Sequence, residues 1–171
     1  GDETGMRSDS HAGRSYAPIG ETPVRQVSGS RFSTNMISTV TNRGKLRFML
    51  YRETLTAPVL IRFLSRLIRD AQGRKVFLIL DNLRVHHSKK VSAWVGDRKE
   101  QIELFFLPAY APELNPDEYL NCDLKHQVRT GLPARNQDEL ERRVRSVMRR
   151  LQLRPQRIRS YFRHPRIAYA A

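Results

Sequence analysis

Five apolar residues in a row, Val76-Phe77-Leu78-Ile79-Leu80, run straight into Asp81, and no other stretch limits the possible folds so strongly. The run is too short for a helix and rich in β-formers, so it predicts a strand covered on both faces, the habit of a central parallel strand. In open α/β sheets ligands bind beyond the carboxyl ends of the strands, which gives Asp81 a functional reading. A structural reading stands beside it, because Asp-Asn is ordinary turn chemistry in which the Asp side chain accepts from the backbone two residues on.

The segments on either side supply the partners such a strand needs. Residues 32–41 and 45–51, joined by Asn42-Arg43-Gly44, predict an antiparallel hairpin. A second, short hairpin is expected from residues 14–17 and 22–27 around Pro18-Ile19-Gly20. Thr56 is placed to cap a helix over 56–71, with Val59, Leu60, Phe63, Leu64, Leu67 and Ile68 on one stripe and Arg62, Arg66 and Arg69 off it. Ser88 opens a helix to about residue 99 in which Trp94 reads as core. Residues 102–107 form a further apolar strand in which Phe105 and Phe106 are expected to pack. Helices follow over 116–129, from Asn136 with a capping box completed by Glu139, and over 155–163. Strands and helices alternating after a hairpin predict an α/β fold, a mixed sheet flanked by helices.

Charge narrows the partner. The chain of 171 residues carries 31 Lys+Arg against 17 Asp+Glu, a net +14, and residues 124–171 hold 13 of the cations against 3 acids. One-sided charge on this scale points to a phosphate backbone, hence DNA. The single Cys122 excludes an internal disulfide and a cysteine-based metal site, and no apolar run approaches a membrane span, so a protein of a reducing, intracellular compartment is expected. The opening "GDETG" lacks an initiator Met, which predicts a piece of a longer chain or a processed product.

Against this basic background three acids stand out: Asp2, Asp81 and Glu118. On a helical wheel Glu118 shares a stripe with Cys122, Lys125 and Arg129, opposite Leu120, Leu124 and Val128, while Asp117 leans toward the apolar side. Asn115, Pro116 and Glu118 also fit a capping box, a sufficient structural reason for Glu118. Carboxylates gathered among phosphate-binding cations repel their own ligand unless a divalent metal lies between them, and hard oxygen ligands favour Mg²⁺ or Mn²⁺.

The stretches "GDETG", "LILDNLRVHHS" and "LFFLPAYAPELNPDEYLNCDLK" closely resemble the catalytic domain of mariner-superfamily transposases, in the bacterial insertion-sequence branch with a DDE triad; 36 residues separate Asp81 from Glu118, as is typical there. The resemblance implies a ribonuclease H-like fold, with a catalytic domain over 1–130 and a basic helical extension over 131–171. It implies Asp2, Asp81 and Glu118 as catalytic metal ligands, Asp117 being the runner-up for the third, with two Mg²⁺ ions (or Mn²⁺). It further implies Asn82 and His86 as supporting residues, cleavage at transposon ends followed by strand transfer into target DNA, and dimers at work in a bacterial cytoplasm. Lys125, Arg129, Arg142, Arg145, Arg149 and Arg150 are the expected DNA contacts. Because the family's first acid lies on the first strand and only Gly1 precedes Asp2 here, most of that strand is expected to be missing. The alternative is then an inactive remnant that binds DNA non-specifically. A ribonuclease H-like nuclease or resolvase is the third reading.

Overall fold

Alternating side chains decide how the first three strands bury themselves. In β2 (Ser33–Val40) Met36 and Ile37 point to opposite faces and both are fully buried, so this strand lies between two apolar layers. It pairs antiparallel with β1 (Asp2–Arg7) and β3 (Leu46–Tyr51), in the order β1-β2-β3. The computed structural model describes residues 1–8, 18–21, 31–129 and 134–170. The short hairpin expected within residues 14–27 falls outside them except for its turn, and so does the expected boundary at residue 131.

The first strand is not missing. Asp2 opens a strand of six residues, each in register with β2 from Asp2 opposite Ser38 to Arg7 opposite Ser33. The residues after the acid supply the ladder.

Helix α1 (Ala57–Asp70) begins where predicted, with Pro58 in its first turn, although the Thr56 side chain makes no capping bond. Its stripe of Leu60, Phe63, Leu64 and Leu67 packs on Ile37, Met49 and Tyr51 and on β4 (Val76–Leu80). The β4 strand pairs in parallel with β5 (Ile102–Phe106), the crossover being α2 (Lys89–Gly96). A hydrogen bond of 2.7 Å from the Gly1 nitrogen to the Ile79 carbonyl brings the start of β1 beside β4 and so links the β1-β2-β3 sheet to the β4-β5 pair.

On the other side of β1-β2-β3, Met6, Met36 and Leu46 pack under α3 (Pro116–Arg129) and α4 (Gln137–Gln152), with Ile158 of α5 (Pro155–Ser160) in the same core. Asn136 caps α4 by accepting from the Glu139 N–H at 2.8 Å, while the Glu139 carboxylate reaches the Arg135 N–H. Burial on both faces holds for β2 but not for β4. Phe77 is 65% exposed and Phe105 45%, because α1 and α2 cover only the face that carries Leu78 and Leu80, while Phe106, opposite Leu80 at the end of β5, packs against the His87 ring and is still 40% exposed. Trp94 is half-buried against that core with the Arg98 guanidinium 4.4 Å over its ring. Among the described residues no helix is long and apolar enough to cross a membrane.

The β2–β3 turn ties the two layers together. Gly44 has φ of 82°, and a Cβ there would lie 2.5 Å from the Pro155 carbonyl oxygen at the start of α5. Gly44→Ala should therefore cost clearly more than the about 1–2 kcal/mol of a left-handed alanine. Gly73→Ala, at φ 81° in open space, should cost no more than that. Urea unfolding of both variants makes the comparison.

Candidate active site

Three separate elements deliver the acids to one place. Asp2 comes from the start of β1, Asp81 from the residue after β4 and Glu118 from the first turn of α3. All three line one cleft of about 360 Å³, closed by Asn82, Leu83 and the 107–112 loop. That loop turns at Tyr110, a non-glycine residue at φ 57° whose side chain is fully exposed. Backbone in this sparsely populated region is held by its surroundings, and such residues cluster at functional sites.

Each acid is fixed differently. Asp2 is 6% exposed and accepts a 2.8 Å hydrogen bond from the Asn121 amide of α3. Burial, together with the carboxylates of Asp117, Glu118 and Glu3, pushes its carboxyl up from the ordinary 3.8 to about 8. Asp81 is half-exposed, and a hydrogen bond from His86 holds it below the usual carboxylate range. Its Oδ1 also accepts from the Leu83 N–H at 3.3 Å, so the turn chemistry and the cleft position coexist in one residue.

His86 is buried between two acids. Its Nδ1 faces Asp81 Oδ1 at 3.1 Å and its Nε2 faces Glu3 Oε1 at 2.7 Å. Burial alone would lower its pKa, but the bonds to Asp81 and Glu3 outweigh this and raise it to about 10. At neutral pH it is an imidazolium with two N–H donors, which clamps Asp81 to β1 through Glu3. The three side chains are close enough to form a metal cluster, in which a cation would have to displace the imidazole proton.

Asp117 and Glu118 divide as the helical wheel requires. Asp117 is fully buried, accepts from Ser38 Oγ at 2.9 Å and lies 3.2 Å from the Gly1 nitrogen, whereas half-buried Glu118 lines the cleft and Asp117 does not. The Asn115 side chain accepts from the Asp117 N–H at 3.1 Å, capping α3 without using the Glu118 carboxylate. Asn82 borders the cleft and pairs with His87.

The expected DNA contacts lie elsewhere. Among the described residues lining the acid cleft none is Lys125, Arg129, Arg142, Arg145, Arg149 or Arg150. Lys125 and Arg129 are half-buried on α3, and the four arginines of α4 are exposed. Sequence reasoning missed Glu3 and Asn121. The signals were present: Glu3 follows Asp2 on the opposite face of a strand, and Asn121 is four residues after Asp117 on the same helix face.

Residues 1–141 match the family model described as DDE superfamily endonuclease. Among solved structures, the chain is similar to a pre-cleavage Mos1 transpososome at 20% identity and a TM-score of 0.56, over 93% of this chain and 54% of that one. It is similar to the Mos1 mariner paired-end complex with Mn at 16% and 0.56, over 94% and 55%. The simian T-cell lymphotropic virus intasome matches at 17% and 0.52, over 66% and 41%. The chain thus spans about half the length of the Mos1 chains it matches. No curated protein matches. With its family model covering β1 through the start of α4 and its fold shared with Mos1, the chain belongs to the DDE superfamily endonucleases and has the fold of a mariner-type transposase catalytic domain.

Proposed function

We propose that this domain cleaves DNA phosphodiesters at the ends of a mobile element and joins the freed 3′ hydroxyl to target DNA. One observation carries the reading: Asp2, Asp81 and Glu118, far apart in sequence, line a single cleft. The donor set suits divalent cations, since it offers only carboxylate oxygens and includes an Asp2 carboxyl raised by burial and then by its acidic neighbours, the latter a repulsion that a cation relieves. Asp2 and Asp81 would hold one Mg²⁺ or Mn²⁺ and Glu118 a second. When bound, such a pair activates the attacking oxygen and stabilises the leaving oxygen of an in-line displacement.

The chain's own residues set the stage for that displacement. His86 holds the Asp81 carboxylate in its ionised form and fixes its orientation. Asn121 orients Asp2, and Asn115 pins the start of α3 by capping it and by donating to the Gly1 carbonyl at 3.3 Å. The 107–112 loop, with the Tyr110 ring in solvent, offers an aromatic surface beside the acids for an unpaired base. Full pairing of β1 supports an active domain over an inactive remnant, since the first acid is anchored by its own strand. DNA is the proposed partner, a second copy is proposed to pair the two DNA ends, and the compartment is the one that holds the DNA, a bacterial cytoplasm.

Two outcomes are expected. In plasmid nicking with Mg²⁺ or Mn²⁺, Asp2→Asn, Asp81→Asn and Glu118→Gln should each abolish cleavage while leaving DNA affinity within a few fold. His86→Ala, which removes only the clamp, should lower activity or metal affinity by about 10–100-fold. Wild-type rates in the Asp81 variant would defeat the assignment. The second outcome concerns pH. Because the folded Asp2 carboxyl titrates at about 8 against 3.8 unfolded, its contribution to stability is complete below about 4 and is lost as pH climbs through 8. In metal-free buffer, Asp2→Asn should raise Tm at pH 8 by about 3 °C or more, the response of a chain this size to about 1 kcal/mol. Added Mn²⁺ should stabilise the wild type and not the variant.

A further inference from the structure

Arginines from three elements meet in a second hollow that shares no residue with the acid cleft. Its volume is about 610 Å³, and it lies over β3 between α1 and α4. Arg47 of β3, Arg62, Arg66 and Arg69 of α1, and Arg145 and Arg149 of α4 line it, with Asp70 the one acid among the described lining residues. Asp70 is already committed, accepting from Arg47 at 2.6 Å. Arg62 has a loose 3.4 Å contact with Glu53, and among the described residues the guanidinium groups of Arg66, Arg69 and Arg149 have no ion-pair partner.

A hollow this polar and this one-sided does not suit an apolar ligand. Three of its cations sit on one exposed face of α1, and with Arg145 and Arg149 opposite they make two rows flanking an edge strand. From Arg62 to Arg69 the helix rises about 10 Å, the axial length of about three base pairs of B-DNA. Guanidinium forks match phosphate oxygens in pairs, and rows of them on rigid helices hold a backbone in register without reading bases.

We infer that this α1–β3–α4 groove is a second DNA-binding surface, which grips the phosphate backbone of duplex DNA away from the acid cleft. It rests on the reading proposed above only in taking DNA as the polyanion, and its binding does not require the acids. A domain that carries out both cleavage and joining must hold duplex beyond the few nucleotides at its metal ligands. The groove supplies that hold from α1 and β3, two elements outside the basic C-terminal third.

The test is the salt dependence of affinity for a fluorescent duplex of random sequence, measured by anisotropy on the whole chain. Replacing Arg62, Arg66 and Arg69 together by Gln should reduce the slope of log K against log salt by about 2–3, near 0.9 for each lost phosphate contact. Replacing the same three by Lys should keep the slope, which separates loss of charge from loss of fold. Replacing exposed Lys89, Lys90 and Lys99 by Gln removes equal charge on and just beyond α2 and should leave the slope unchanged. Asp81→Asn should also leave it unchanged, so a wild type that fails to cleave would count against the proposed activity and not against the groove. An unaltered slope in the α1 Gln variant, or an equal loss in the α2 variant, would overturn the inference.

Discussion

The buried hydrogen bond from Ser38 to Asp117 is the contact on which the arrangement turns. Ser38 stands opposite Asp2 in the β1–β2 ladder, so the bond fastens the first turn of α3 directly beside the first acid. A charged side chain at zero exposure is costly unless partnered, and Asp117 has the Ser38 hydroxyl and the Gly1 nitrogen. With Asp117 turned inward, the next residue, Glu118, turns toward the cleft. The third acid is thus placed by its buried neighbour, the runner-up for the same role in the sequence.

The second constraint is mutual repulsion. Asp2, Glu3, Asp117 and Glu118 crowd together in a protein with an excess of positive charge, yet the partners that hold them are not lysines or arginines. Asp2 is satisfied by an amide, Asp117 by the Ser38 hydroxyl, and Glu3 and Asp81 by the buried His86 between them. Arginine beside the acids would compete with a divalent ion for the same oxygens. Their placement on α1 and α4 leaves the acid cleft free of guanidinium groups among its described lining residues.

Much of this was legible in the sequence because the periodicities are strong. The hairpin of β2 and β3, the α1 stripe and the opposite orientations of Asp117 and Glu118 follow from spacing alone. What could not be read was which side of an apolar strand has a neighbour. The sequence of β4 is apolar throughout, but its burial alternates, because Phe77 has no helix above it. The first strand was misjudged for a related reason: an acid can stand anywhere along its strand, and only the pairing with β2 shows that the residues after Asp2 form the ladder. His86 was visible as a helper, but its link to Glu3 spans 83 residues and depends on how β1 lies beside β4.

The division of labour between cleft and groove follows from the distance over which charge acts. In physiological salt exposed charges are screened beyond about 8 Å, so a polyanion drawn to α1 and α4 is held by local contacts there and not by the net charge of the chain. The acids, being carboxylates in a half-enclosed cleft, would repel the same phosphate until cations intervene. On the proposed reading, cations held by Asp2, Asp81 and Glu118 would then do more than supply chemistry: they would also offset the local negative charge of the cleft. Affinity and catalysis then respond to different variables. On these proposals the arginine rows would respond to monovalent salt, and the acids to pH and divalent ions.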